Sequence, residues 1–548
     1  MEDSEDEGRW MPLAPAASLS SIGWSQPKEK KGKGKKGKTR KRASEAGVRK
    51  ASDLTYYGPS VGAIGHQWDE KIGRLTIHGA AAQNMWIEGN AHVKVVSGAV
   101  NLLGYHLPAG SDATVNCPAW NNSIAIKSCG NAVVKIQSTS DQSKPTFTVL
   151  TSAAQPLTIS RSWESACDTV LGVDERGTQI AIAKRSKASE PSRTLICGAK
   201  STGKSTLLRY LVNRHLSRQN SVIVMDCDVG QPEFSPPGML TLTLVDEPLL
   251  SPPHLHMKRE HLKAHFYGHV TSRNDPPTYL EMITDLLNVY REYVAEHCQG
   301  REEEIPLVVN TDGWVKGFGF EVISTIIERL KPTFVMQLTG NVFSKTFSLE
   351  NILSPESNLV QVEAYESQNT ADIPSQVLRS LRLSTYFFED VTIWDRVAFG
   401  SRGITDHDCE IANTLAARQP YVVSINSVHC EVPFVTSQEA ILDALNGSIV
   451  GLGVNKEGEM HPSCVGLGII RSIDRARMLF YILSPVAPEK IVNVAVLLKG
   501  TLELPIECVY RGIHAEALPY LACRRKVDTI GGEVMKSRNN IGRKSLSR

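Results

Sequence analysis

No apolar run in this chain approaches the roughly 18 residues that a membrane-crossing helix needs. The opening residues, Glu2 to Glu7, are acidic and do not form the basic-then-apolar pattern of a secretory signal. The 11 cysteines are an odd number and include no C-x-x-C pair. That argues against a disulfide scaffold or a zinc module and suits free thiols in a reducing compartment. There is no internal repeat, and no N-K-x-D run of the kind that selects guanine, which counts against a GTPase switch. Net charge is only +2, so the chain as a whole is no polycation.

What the chain does have is unevenly placed. Its 548 residues, 41% hydrophobic and 22% charged, suit a soluble globular protein of about three domains. Residues 1–52 read as a disordered arm. Within it, Lys28 to Arg42 hold eight Lys and two Arg against one Glu, a self-repelling and glycine-broken run. Such a run serves as a nuclear or nucleolar address, as an auxiliary nucleic-acid-binding arm, or as a plain solvated tail. From 53 to 185, short apolar or alternating runs such as His92-Val-Lys-Val-Val96 and Ala132-Val-Val-Lys-Ile136 are punctuated by Gly, Asn and Pro, which predicts a β-rich domain. From 186 to 395, strand and helix patterns alternate, predicting an α/β domain with a parallel sheet covered on both faces. Residues 396–523 return to short strands, including Tyr421–Ile425 and Ile491–Leu498, and 524–548 form a basic, mobile tail.

The chemistry concentrates in the α/β region. Gly198-Ala199-Lys200-Ser201-Thr202-Gly203-Lys204-Ser205 matches G-x-x-x-x-G-K-[ST], with Thr206 following. Thr194–Cys197 before it read as a buried strand and Ser205–His215 after it as an amphipathic helix, the context a P-loop requires. Backbone N–H groups and the helix N-terminus favour phosphate; Lys204 would reach the β/γ-phosphates and Ser205 would ligate Mg²⁺. A second apolar strand ends in Asp226-Cys-Asp-Val-Gly-Gln231, where Asp226, Asp228 and Gln231 can hold Mg²⁺ through water and contact a reactive hydroxyl. A third ends in Asn310-Thr-Asp-Gly-Trp314; the indole offers a stacking face for a base, or else a core residue. Arg379 and Arg382, three apart on a predicted helix, share a face and are read either as arginine fingers in cis or as solvated surface charge. His254, His256, His261, His265 and His269 cluster without a convergent ligand set, so they read as core or surface histidines.

Taken together, the P-loop, Asp228-x-x-Gln231, Thr311-Asp312-Gly313-Trp314 and the arginine pair resemble the P-loop polynucleotide 5′-hydroxyl kinases of eukaryotic RNA processing. Phe266 to Pro276 look like a family segment too. In that family these motifs are Walker A, Walker B, clasp and lid, and a kinase domain sits between two β-rich domains. The resemblance implies ATP and Mg²⁺, Lys204 and Ser205 as the P-loop pair, Asp228 as the residue that deprotonates the 5′-hydroxyl, Gln231 beside the metal, Thr311 and Trp314 on the RNA end, and Arg379 and Arg382 in the lid. The lid reads R-x-x-R where the family has R-x-x-x-R. Lys200 is an extra cation inside the loop, expected to stabilise the transferring phosphoryl group. The basic arm, Lys200 and Leu102-Leu-Gly-Tyr105 favour the nucleolar branch, which implies pre-rRNA 5′-hydroxyl ends as substrate and an endonuclease of the second internal transcribed spacer as partner. The alternatives are the mRNA 3′-end and tRNA-splicing branch, a non-catalytic ATP-binding scaffold, and an ATPase switch.

Overall fold

Leu195, Ile196 and Cys197 are fully buried in succession, as a strand covered on both faces must be. In this computed structural model the residues described are 10–12, 66–69, 73–78, 85–118, 121–139, 147–150, 156–173, 191–257, 259–297, 305–340, 347–365, 374–388, 419–456 and 458–503. The run Lys28–Arg42 and the tail 524–548 lie outside them.

The central sheet has seven strands in the order His261–Phe266, Met239–Val245, Val222–Asp226, Leu307–Asn310, Arg193–Gly198, Phe334–Thr339, Asn358–Glu363. The last five are mutually parallel. Of the seven, Met239–Val245 runs the other way, antiparallel to Val222–Asp226 and to His261–Phe266, an exception within the expected parallel sheet. The reason lies in the connection: residues 227–238 contain no helix, and a parallel neighbour needs a crossover of about a dozen residues or more, usually helical. Alternate strand residues face opposite layers. Ile196, Val224 and Val308 pack with Leu207, Leu208 and Leu211 of the P-loop helix Lys204–Leu216. Leu195, Met225 and Val309 pack with the helices Pro276–His297 and Phe318–Leu330.

The N-terminal β-rich region is a nine-stranded sheet built around Met85–Ser97, which pairs with four other strands. A helix, Arg161–Leu171, follows it, where only strands were expected. Its readable signals were Ser160, whose side chain caps Trp163 N, and Gly172, which ends it at φ 66°. The Leu102–Tyr105 segment is a tight turn with φ of 47° at Leu103 and 88° at Gly104. It seats the sheet on the P-loop helix: Asn213 Nδ2 donates to Leu103 O (2.9 Å) and His106 N to Ser217 Oγ (2.8 Å).

The C-terminal region is a second seven-stranded sheet. Its edge strand, Trp10–Pro12, comes from the predicted arm and pairs with Tyr421–Ser424. The expected strand Ile491–Leu498 is instead a short helix, Pro488–Ile491, followed by a strand at Val496–Lys499. This sheet docks on the kinase core where Gly268 and Gly500 meet backbone to backbone, with Thr501 N donating to Gly268 O (2.8 Å). It also grips the lid helix Ser375–Phe388: Leu467 N donates to Tyr386 Oη at 2.8 Å. Among the described residues no helix is long and apolar enough to cross a membrane.

Candidate active site

The P-loop strand ends at Gly198 and the next helix begins at Lys204, so five residues must double back over the strand end. Two glycines make that possible. A Cβ on Gly198 would stand 2.9 Å from Thr202 Oγ1, and Gly203 caps the helix at φ 96° hard against Tyr365 and Trp163. Thr202 Oγ1 donates to Ala199 O (2.8 Å). Lys204 is buried and arches back across the loop, donating from Nζ to Gly198 O (3.0 Å) and Ala199 O (3.1 Å). Burial pushes its pKa down, and the charges of Asp228 and Asp312 oppose that shift. Lys200 and Ser201 are exposed on the rim, while Ser205 and Thr206 lie half-buried in the first helical turn.

The two Walker B aspartates divide their work. Asp226 is completely buried; its Oδ1 accepts from Asp228 N (3.1 Å) and Asn310 Nδ2 (3.0 Å), and its Oδ2 from Glu233 N. Burial pushes its pKa up to about 7. Both Asp226 oxygens are thus engaged from inside the protein, an arrangement compatible with the expected hold on Mg²⁺ through water. Asp228 is half-buried. Its Oδ1 accepts from Gly230 N and Gln231 N, both at 3.0 Å, while its Oδ2 carries no hydrogen bond among the described residues. Gln231 is half-buried in the same turn.

In the clasp, Thr311 is buried and its Oγ1 donates to Ile196 O (3.0 Å), so its hydroxyl serves the P-loop strand and not the solvent side. Asp312 accepts from Ser272 Oγ and from Trp314 N (3.1 Å). Burial raises its pKa, helped by Asp228 and opposed by Ser272 and Lys204. Gly313 lies against the Lys200 backbone, and the half-buried Trp314 packs on Gly319.

The lid arginines sit at different depths. Arg379 is half-buried and feels chiefly Asp228. Arg382 is buried, its Nε without a hydrogen-bond partner, and it feels Glu233, Asp228 and Asp226. The Asp228 charge acts on Lys204, Arg379 and Arg382 alike, opposing the fall in pKa that burial causes in each.

Several residues escaped sequence reasoning. Glu233 is buried beside the Walker B turn; Arg209 from the P-loop helix (Nε, 3.7 Å) and His256 (Nδ1, 2.8 Å) hold it ionised against the cost of burial. Burial pushes the His256 pKa down, and the Glu233 carboxylate opposes that shift. No local pattern marked this trio, because its members come from three separate segments. Arg273 lies over the Trp314 ring, 5.0 Å from its centroid. Its only signal was its place in Phe266–Pro276. The clustered histidines have structural partners, such as Asp285 for His265 (2.8 Å) and Thr243 for His261 (2.8 Å). Among the described residues no group of acids, histidines and cysteines is placed to hold a metal by itself.

The cradle fits a nucleoside triphosphate. A buried ammonium bonded only to carbonyl oxygens and a buried guanidinium with an unpaired Nε leave positive charge that phosphate oxygens can match. Ser205, in the first turn of the P-loop helix, and Gln231, in the Walker B turn, are both half-buried and carry the oxygen donors that Mg²⁺ takes, the rest of its ligands being phosphate and water.

The chain is similar to known proteins over much of its length. Residues 198–389 match the family described as mRNA cleavage and polyadenylation factor CLP1 P-loop, and residues 416–505 match NOL9-like, C-terminal domain. The chain is 33% identical over 350 residues to polynucleotide 5′-hydroxyl-kinase NOL9 of Arabidopsis thaliana, covering 61% of this chain and 91% of that protein. It is 30% identical over 366 residues to the protein of the same name from Danio rerio, covering 60% and 48%. It is 26% identical over 407 residues to polynucleotide 5′-hydroxyl-kinase grc3 of Schizosaccharomyces pombe, covering 64% and 54%. The chain thus spans about half the length of the latter two relatives. A solved Clp1p–Pcf11p complex is similar at 18% identity and a TM-score of 0.49, covering 78% of this chain and 96% of that one.

Proposed function

We propose that this chain, which belongs to the polynucleotide 5′-hydroxyl-kinase family, transfers the γ-phosphoryl group of ATP to the 5′-hydroxyl of an RNA end. The observation that carries the reading is Asp228: one carboxylate oxygen is locked into the turn, the other carries no hydrogen bond among the described residues, and its charge acts on Lys204, Arg379 and Arg382. In the reaction the RNA 5′-oxygen attacks the γ-phosphorus, the bond to the bridging oxygen breaks, and ADP leaves. Asp228 Oδ2 takes the hydroxyl proton. Lys204 exchanges a carbonyl partner for phosphate oxygen, and Arg379 and Arg382 face the charge that spreads over the transferring group. Lys200 adds a cation from the rim. Ser205 and Gln231 would hold Mg²⁺, with Asp226 fixing the turn beneath them; that ion neutralises β/γ-phosphate charge when bound. Trp314 and Asp312 shape the entrance for the RNA end.

The finer reading is a role in rRNA processing, on pre-rRNA 5′-hydroxyl ends left by an endonuclease of the second internal transcribed spacer, in the nucleus and nucleolus. What supports it over the mRNA 3′-end branch is the NOL9-like C-terminal match and the name shared by the relatives, together with the basic run Lys28–Arg42. The test is transfer of labelled γ-phosphate to a 5′-hydroxyl oligoribonucleotide, beside a 5′-phosphorylated control. Label on the hydroxyl end alone is expected; absence of label at every Mg²⁺ concentration rejects the kinase. Co-purification with a pre-rRNA spacer endonuclease tests the finer reading, and co-purification with mRNA cleavage factors overturns it.

A further inference from the structure

We infer that Arg273 is a substrate-binding residue, its guanidinium forming the surface on which the first base of a single-stranded 5′-hydroxyl RNA stacks. This deepens the kinase reading and rests on it. The indole of Trp314 offers a stacking face by its chemistry, yet in the structure other groups already lie against that ring. The Arg273 guanidinium lies 5.0 Å from its centroid. Gly319, at the start of the helix Phe318–Leu330, packs on the same side chain so closely that a Cβ there would stand 2.5 Å from Trp314 Cγ. On the face that Arg273 covers, an incoming base meets the guanidinium and not the indole.

Three features mark Arg273 as more than a cover for the ring. First, it is exposed and makes no ion pair among the described residues, so its charge is uncommitted. Second, its loop is fixed to the clasp: Ser272 Oγ donates to the buried Asp312, whose other oxygen accepts from Trp314 N (3.1 Å). One carboxylate thus sets the position of both the arginine loop and the tryptophan. Third, Gly313, next to Trp314 in the chain, lies against the Lys200 backbone, so the pair stands beside the P-loop. A planar guanidinium stacks on a nucleobase with one face and on an indole with the other, and its N–H edge is free for a phosphate oxygen. An ammonium has charge without a face. The geometry predicts a three-layer stack of indole, guanidinium and first base, and a grip that does not depend on which base is present.

The experiment uses the full chain, as wild type, Arg273→Ala and Arg273→Lys. Binding of a labelled 5′-hydroxyl oligoribonucleotide is read by fluorescence anisotropy without ATP, alongside an oligonucleotide whose first residue is abasic. The expected result is about tenfold weaker binding for both variants, and an abasic penalty that is present in wild type and absent in Arg273→Ala. In the transfer assay KM for the oligonucleotide rises while KM for ATP and the melting temperature stay at their wild-type values. Arg273→Ala binding as tightly as wild type, or an abasic penalty that survives in it, overturns the proposal. So does Arg273→Lys binding like wild type, which would reduce the residue to a point charge. If wild type binds the oligonucleotide but transfers no phosphate, the kinase reading fails while the binding comparison still decides the role of Arg273.

Discussion

Gly313 and Lys200 are in backbone contact: a Cβ on Gly313 would stand 2.7 Å from both the Cα and the N of Lys200. The clasp and the P-loop, 113 positions apart in the sequence, share this one narrow seam. Backbone cannot yield as the tip of a side chain can, so Gly313→Ala must push the clasp away from the nucleotide cradle. The expected outcome is at least a tenfold loss of phosphoryl transfer, with a stability cost of about 1–3 kcal/mol. Labelled transfer and urea melts measure the two effects separately.

The Walker B aspartates predict opposite phenotypes. Asp228→Ala removes the unengaged oxygen and is expected to lower kcat by about 10²–10⁴-fold with the fold retained. Asp226→Ala strands three donors, Asp228 N, Asn310 Nδ2 and Glu233 N, each buried donor costing about 1–3 kcal/mol. It is expected to lower the melting temperature and to lose activity with it. Equal melting temperatures for the two variants would contradict this division of roles.

Lys200 stands exposed on the rim of the loop, against Gly313. If it stabilises the transferring group, Lys200→Ala lowers kcat by about tenfold, less than the 10²–10³-fold typical of a buried donor, and leaves the melting temperature unchanged. Unchanged turnover would remove Lys200 from the mechanism.

Acid should weaken the kinase core through His215. Burial in the P-loop helix pushes its pKa down to about 4, from an ordinary 6.5. The folded chain keeps this ring neutral while the unfolded chain takes up a proton, so its contribution is full above about pH 6.5 and is lost as pH falls toward about 4. One pKa unit corresponds to about 1.4 kcal/mol, so the loss is on the order of 3 kcal/mol. Urea midpoints at pH 7.5 and 5 should differ more for wild type than for His215→Gln.

Gly104 ties the N-terminal sheet to the P-loop helix. It sits at φ 88°, and a Cβ would lie 2.9 Å from the Tyr210 ring and from its carbonyl oxygen. Gly104→Ala is expected to loosen this contact at a cost of about 1–3 kcal/mol. A lowered urea midpoint relative to wild type is the measurement that checks it.

The sequence determined on its own whatever depends on local order. A strand, two glycines, a lysine and a helix in fixed succession can form only a phosphate cradle, and Gly198–Ser205 form one. The helices Pro276–His297 and Phe318–Leu330 were legible from apolar spacing, because each buries one stripe. The hairpin Met239–Phe266 was missed, since hydrophobic period says nothing about strand direction and the connection had to be judged by what it lacked. Tertiary structure alone decided which aspartate faces inward, which arginine is buried, and that Leu102–Tyr105 is a joint between domains. It alone joined Glu233 to Arg209 and His256, and Arg273 to Trp314. The physical reason is common to all of these. Burial, electrostatic pairing and stacking act between groups distant in the chain, and their strength depends on separation and solvent exposure, neither of which a linear pattern contains.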